Sequence, residues 1–300
     1  MSEEPTPAVA AGESPGRPEP VVRGYVMSRG YPRQADYRFL GAAPDPGWWT
    51  RHRSHTDVNY PTLLVEARGG RWRAYLSGIP SQRRDEVSTP IRFTLALEGA
   101  TASGGADGVV RLVARWLDGH ADGSGRAVLG ERMDGLFPDD AEVVDLRRRH
   151  DVEAVGVVQD RMERLLTSLE APGGPEPTEW ADRSWIASAA DGPGAAAFVE
   201  RVRALLAGEQ DGDALVLNLV EQAEEAPPVA AGESLAVLTA TGGPDRPRAL
   251  PAAIPGQSGD QGPKAPGRTT PASPVDVRRA LPLVLAALLL VLLILWCATR

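Results

Sequence analysis

The sequence predicts an α+β protein: an antiparallel β-rich N-terminal module, a helical middle, a small β-α-β-β unit and a C-terminal single transmembrane helix. Alternating apolar and polar residues indicate the strands, apolar residues three and four apart indicate the helices, and one long uncharged run indicates the membrane span. The predicted boundaries are 1–20 for a disordered N-terminus, 21–100 for the β-rich module, 101–175 for the helical region, 176–243 for the small α/β unit, 244–277 for a Pro/Gly-rich tether and 278–300 for the transmembrane anchor.

The first twenty residues are rich in Pro, Glu, Ala and Gly and show no apolar periodicity. Such a composition is typical of disordered segments. The same stretch has no basic region followed by an apolar region, so the sequence predicts no signal peptide.

The clearest β element is a hairpin in TLLVEAR-GG-RWRAYLS, where Gly69 and Gly70 form a two-residue turn. This turn pairs Arg68 with Arg71 and Glu66 with Arg73, which places apolar side chains on one face and charged side chains on the other. Further strands are predicted at 90–98, with Ile91, Phe93, Leu95 and Leu97 facing inward, and at 21–29 and 36–40.

Three helices are predicted after the β-rich module, at 107–118, at 138–149 and at 152–169. The period then changes, with strands expected at 183–188, 214–220 and 235–239 and a helix at 194–207. The last two strands are almost entirely apolar, as in sheets covered on both faces. The pattern leaves open whether this β-α-β-β unit is a separate domain or extends the first sheet.

The eighteen residues 281–298 carry no charge and would span roughly 27 Å as a helix, close to the thickness of a bilayer core. Arg278 and Arg279 precede the run and Trp296 lies near its end, and the apolar residues include Leu281, Leu288 and Leu293. Basic residues favour the cytoplasmic side. We therefore expect a tail-anchored, single-pass protein of the cell membrane with its N-terminal body in the cytoplasm and its C-terminal helix in lipid.

Composition excludes several kinds of site from residues 21–243. The only cysteine is Cys297 and the only lysine is Lys264, so the body has no disulfide, no thiol nucleophile, no P-loop lysine and no Schiff-base lysine. Residues 22–100 carry 12 Arg against 7 acidic residues, whereas residues 101–243 carry 12 Arg against 26. An acidic body argues against nucleic-acid binding. No cofactor is predicted.

Two groups of residues are candidates for a site. His52, His55 and Asp57 have the residue types of a zinc or iron site, and the alternative is a solvated polar loop. Arg71, Arg73 and Arg92 with Tyr75 would project from one face of the sheet toward an anion or a protein partner, and the alternative is a face neutralised by the acidic second half of the chain.

Other arrangements have simpler explanations. The chain has no G-x-S-x-G motif, and His120 and His150 fall beside predicted helix ends. The pair Trp48-Trp49 would serve as a partner contact or would pack on the sheet. The sequence therefore favours a non-enzymatic membrane protein that presents a cytosolic interaction module to a protein partner. The alternative is a tethered enzyme or nucleotide-sensing domain that uses only arginines and carboxylates.

Overall fold

The computed structural model describes residues 21–31, 36–57, 60–101, 105–170, 180, 184–229, 231–244 and 246–251. The predicted disordered N-terminus, nearly all of the tether and the membrane anchor lie outside these residues and stay predictions. Within the described ranges, no helix combines the length and the apolar character needed to cross a membrane.

All nine strands of the described chain belong to one mixed sheet with the order β2-β1-β5-β4-β3-β7-β8-β6-β9. The strands are β1 Val22–Ser28, β2 Arg38–Phe39, β3 Leu63–Arg68, β4 Arg71–Arg84, β5 Pro90–Ala100, β6 Trp185–Ser188, β7 Gly212–Leu217, β8 Ser234–Thr239 and β9 Arg248–Ala249. The helices are α1 Gly47–Thr50, α2 Ala106–Leu117, α3 Ser124–Leu136, α4 Asp140–Leu146, α5 Val152–Ser168 and α6 Gly192–Ala207, with 3-10 turns at Arg53–His55 and Ala223–Glu225. The predicted α+β class is confirmed.

The antiparallel half of the sheet forms around the predicted hairpin. Gly69 and Gly70 adopt φ values of +57° and +76°, which two-residue hairpin turns require and which glycine tolerates. The register is the predicted one, with Arg68 opposite Arg71 and Glu66 opposite Arg73. The predicted inward-facing residues of β5 are buried: Ile91, Phe93, Leu95 and Leu97.

The β-α-β-β unit extends this sheet. Strand β7 pairs antiparallel with β3, and β6, β8 and β7 run parallel to one another. The tether was expected to begin at residue 244, but β9 pairs with β6 and Leu250 is buried, so the folded domain continues past that boundary. A two-residue edge strand carries too little periodicity to be recognised in the sequence.

Helices cover one face of the sheet and build the main core there. The largest fully buried side chains include Trp72 of β4, Trp116 of α2 and Phe198 of α6. A smaller apolar cluster lies on the opposite face, where Trp48 packs with Leu64 and other buried residues.

Helix α3 was not predicted, because its sequence contains three glycines and little apolar periodicity. One of them, Gly130, lies directly on the backbone of β4: a Cβ atom at this position would be 1.7 Å from the carbonyl oxygen of Pro80. Glycine therefore allows α3 to approach the sheet more closely than any other residue would.

Candidate functional site

The predicted arginine surface lies on the sheet face opposite the helices. Alternate residues of β4 place Arg71, Arg73 and Tyr75 on this face. Arg71 is exposed and Arg73 is half-buried. Arg92 is exposed but lies far from Arg71. In the register of β4 and β5, Arg71 is opposite Ala100, and Arg92 is eight residues from Ala100, or about 27 Å along β5.

Tyr75 is covered rather than open to a partner. The ring of Trp49 stacks on it at 5.3 Å between centroids with an interplanar angle of 24°. Trp48 packs edge-on against Trp49 and is itself buried. Burial also raises the pKa of Tyr75. The tryptophan pair therefore packs on the sheet, and the predicted surface reduces to Arg71 and Arg73.

An ion-pair network lies beside these arginines and centres on Arg68. Its guanidinium donates to both oxygens of Asp213, at 2.8 and 3.0 Å, and to both oxygens of Glu233, at 2.9 and 2.5 Å. It also lies 3.0 Å from Glu66, which forms an ion pair with Arg51 as well. These hydrogen bonds raise the pKa of Arg68, and Arg68 in turn lowers the pKa of Glu233. The network joins β3 to β7 and to the chain before β8.

Arg71 and Arg73 stand outside this network. Glu98, opposite Arg73, accepts a hydrogen bond from the Tyr25 hydroxyl at 2.7 Å and lies 3.9 Å from Arg23. Counting only described residues, no carboxylate oxygen lies within 4.0 Å of either Arg71 or Arg73. Arg71 faces Arg68 directly across the hairpin, but the three carboxylates of the network contact Arg68 and not Arg71.

The three predicted metal ligands do not form a cluster in the described chain. His52 is buried, His55 is half-buried with its Nδ1 3.0 Å from the Ser54 hydroxyl, and the backbone N–H of Asp57 donates to Asn218 at 2.6 Å. In the part of the chain that the structure describes, no three His, Cys, Asp or Glu side chains are grouped so that they could hold a metal ion.

The two histidines instead line a cavity of about 330 Å³ together with Arg51 and Arg68. Burial lowers the pKa of His52 to about 4 and lowers that of His55. Both imidazoles are therefore neutral at pH 7 and act only as hydrogen-bonding groups there. No sequence pattern predicts this cavity, because the residues that line it, among them 51–55 and 227–235, are far apart in the chain.

Comparison with other proteins adds no family assignment: no family model matches the chain, and no curated protein or solved structure is significantly similar to it.

Proposed function

We propose that the chain is a single-pass membrane protein whose cytosolic α+β domain binds an acidic partner protein through Arg71 and Arg73. One observation carries the proposal: these are exposed or half-exposed arginines with no described carboxylate within 4.0 Å, beside a network in which the other arginines are paired.

The chemistry of the two side chains suits carboxylate groups on a partner. Residues two apart on a strand point to the same side and lie roughly 7 Å apart, which allows each guanidinium to form a forked hydrogen-bond pair with a different carboxylate. The surface is held on a regular hairpin, so little side-chain and backbone freedom is lost when a partner binds.

Attachment to a membrane rests on residues 281–298 and their basic flank, Arg278 and Arg279. Such an attachment would concentrate the domain and its partner at the membrane surface.

The test compares two charge-reversal variants of the full-length chain. Arg71→Glu/Arg73→Glu changes the proposed surface, and Arg148→Glu/Arg164→Glu changes two exposed arginines on α5 and before it by the same net charge. Proteins crosslinked to each form at the membrane are quantified by mass spectrometry. We expect the first variant to lose an acidic partner by about tenfold or more, as charge reversal at an interface predicts, and the control to keep it. Equal recovery with both variants would refute the contact surface.

A further inference from the structure

A second cavity, of about 820 Å³, lies between α2 and α6, away from the arginine surface. One stripe of α2 lines it, made of residues 111, 114 and 115 and continued by Asp118 directly after the helix. On α6 the first turns contribute small residues, Gly192, Ala195 and Ala196, and the next turns contribute Val199, Glu200 and Arg203. The volume is in the usual range for small-molecule sites, about 300 to 1,000 Å³.

His120 lines this cavity in a fixed orientation. Its side chain is 9% exposed and its ring packs on Trp116, with the ring centroids 5.4 Å apart. Arg126 holds it from the other side: Nη1 lies 3.0 Å from the imidazole Nδ1 and Nη2 donates to the His120 carbonyl at 3.1 Å. A guanidinium only donates hydrogen bonds, so Nδ1 accepts and the ring proton is on Nε2.

The Nε2–H group of His120 has no hydrogen-bond acceptor among the described residues. Burial, followed by the charge of Arg126, lowers the pKa of His120 to about 4. The ring is therefore neutral at pH 7, and it offers the cavity one oriented N–H donor.

Arg111 is the second group left available in this cavity. Its Nη2 donates to the carbonyl of Leu166 at 3.3 Å, its Nε is buried without a hydrogen-bond partner, and no carboxylate in the described ranges lies within 4.0 Å of it. The other two lining arginines are each paired, Arg115 with Asp118 at 2.9 Å and Arg203 with Glu200 at 3.3 Å.

None of the carboxylates that line the cavity lies within 4.0 Å of the Arg111 guanidinium. Asp118 and Glu200 are engaged by arginines, and Asp122 accepts a hydrogen bond from the Ser124 backbone at 2.8 Å. Glu170 is exposed. Arg111 is half-buried, and its guanidinium would gain charge-assisted hydrogen bonds from an anion bound in the cavity.

We propose that this cavity binds a small organic anion, with Arg111 holding its phosphate or carboxylate group and His120 donating to a second acceptor. Residues 111 and 118 are about 10 Å apart along the helix axis, so we expect a ligand with two separated acceptor groups rather than a bare phosphate ion. The proposal does not depend on partner binding through Arg71 and Arg73, since the two sites share no residue.

The first experiment is calorimetric titration of the full-length chain in mild detergent with inorganic phosphate, succinate and AMP. We expect succinate or AMP to bind with a stoichiometry near one and more tightly than phosphate. Arg111→Gln should weaken this binding by about tenfold or more, because it removes a charged, forked donor. Arg132→Gln is the matched control, since Arg132 donates to the carbonyl of Ser168 at 3.3 Å but does not line the cavity.

Three results would overturn the proposal: no measurable binding of any probe, equal affinity for phosphate and for both organic anions, or equal weakening by the Arg111 and Arg132 variants. A second measurement uses no variant and therefore tests the proposal even if a variant folds poorly. In ¹⁵N-histidine spectra of the unmutated chain, His120 should show a protonated Nε2 whose signal shifts with the bound anion. An Nε2 without a proton, or a signal that does not move under saturating anion, would contradict the assignment.

Discussion

Acidification from pH 7 to pH 5 should destabilise the domain strongly through His52 and His120. Both side chains are buried, 5% and 9% exposed, and burial holds the pKa of each at about 4. In the unfolded chain a histidine has a pKa of about 6.5. The native state therefore excludes a proton that the unfolded state takes up, and for His120 the proton would also add a second charge beside Arg126.

The sign and size follow from proton linkage. A histidine whose pKa is lowered in the folded state adds to the free energy of unfolding, and this contribution is complete above pH 6.5. It is lost as the pH falls from 6.5 toward 4. Between pH 7 and pH 5 each histidine accounts for a loss of about 2 kcal/mol in the free energy of unfolding, so the pair accounts for about 4 kcal/mol. Domains of this kind are stable by about 5 to 15 kcal/mol, so the change is easily measured. Asp151 titrates below this pH range, because Arg149 lowers its pKa to about 2.

The assay is urea unfolding of the full-length chain in mild detergent, followed by tryptophan fluorescence at pH 7, 6 and 5. The variant His120→Gln should be less stable at pH 7 but should lose about 2 kcal/mol less than the unmutated protein between pH 7 and 5. The double variant with His52→Gln should lose less still. An unmutated protein whose stability changes by under about 1 kcal/mol over this range, or a His120→Gln variant that keeps the full loss, would refute the reasoning.

Two further predictions concern stability. In the same denaturation assay, Gly130→Ala should destabilise the domain by about 1 to 3 kcal/mol or more, because the added Cβ would overlap the Pro80 carbonyl. The control is Gly135→Ala on the same helix, where an added Cβ has nothing within 4 Å, and it should be neutral or slightly stabilising. Arg68→Met should cost about 2 kcal/mol at pH 7, because it leaves Asp213 and Glu233 side by side without their ion-pair partner and leaves Glu66 with Arg51 alone, and part of the loss should return near pH 4 as the carboxylates take up protons. Arg149→Met, which breaks only exposed pairs, should have a much smaller effect; an equal effect of the two arginine variants would contradict the network's role.

The hairpin could be predicted to the residue because its information is local. Two adjacent glycines determine the turn, and alternation on both sides fixes which residues face each other. The same reasoning placed Arg71 and Arg73 on one face. That no carboxylate oxygen of the described residues lies within 4.0 Å of either arginine could not be predicted, because Glu66 and Glu98 form their ion pairs with residues distant in sequence, Arg51 and Arg23.

The cavity between α2 and α6 could not be predicted from the sequence for a related reason. The sequence pattern places His120 in a loop beside a helix end. The orientation of its ring depends on Arg126, which belongs to the unpredicted helix α3. Helix α3 is held by its contact with β4 rather than by its own apolar pattern. Where tertiary packing determines an element, the residues that it positions are hidden from sequence periodicity.

Membrane attachment through residues 281–298 is the premise of the proposed function, and alkaline carbonate extraction of cell membranes measures it most directly. The nine Leu, two Val and one Ile of this segment favour insertion by on the order of 4 to 7 kcal/mol. Leu288→Arg/Leu289→Arg should shift that balance by about 6 to 8 kcal/mol and abolish insertion, whereas Leu288→Ile/Leu289→Ile should preserve it. The account predicts that the unmutated and isoleucine forms stay in the carbonate-resistant pellet and the arginine form is released. Release of the unmutated chain, or retention of the arginine form, would contradict it.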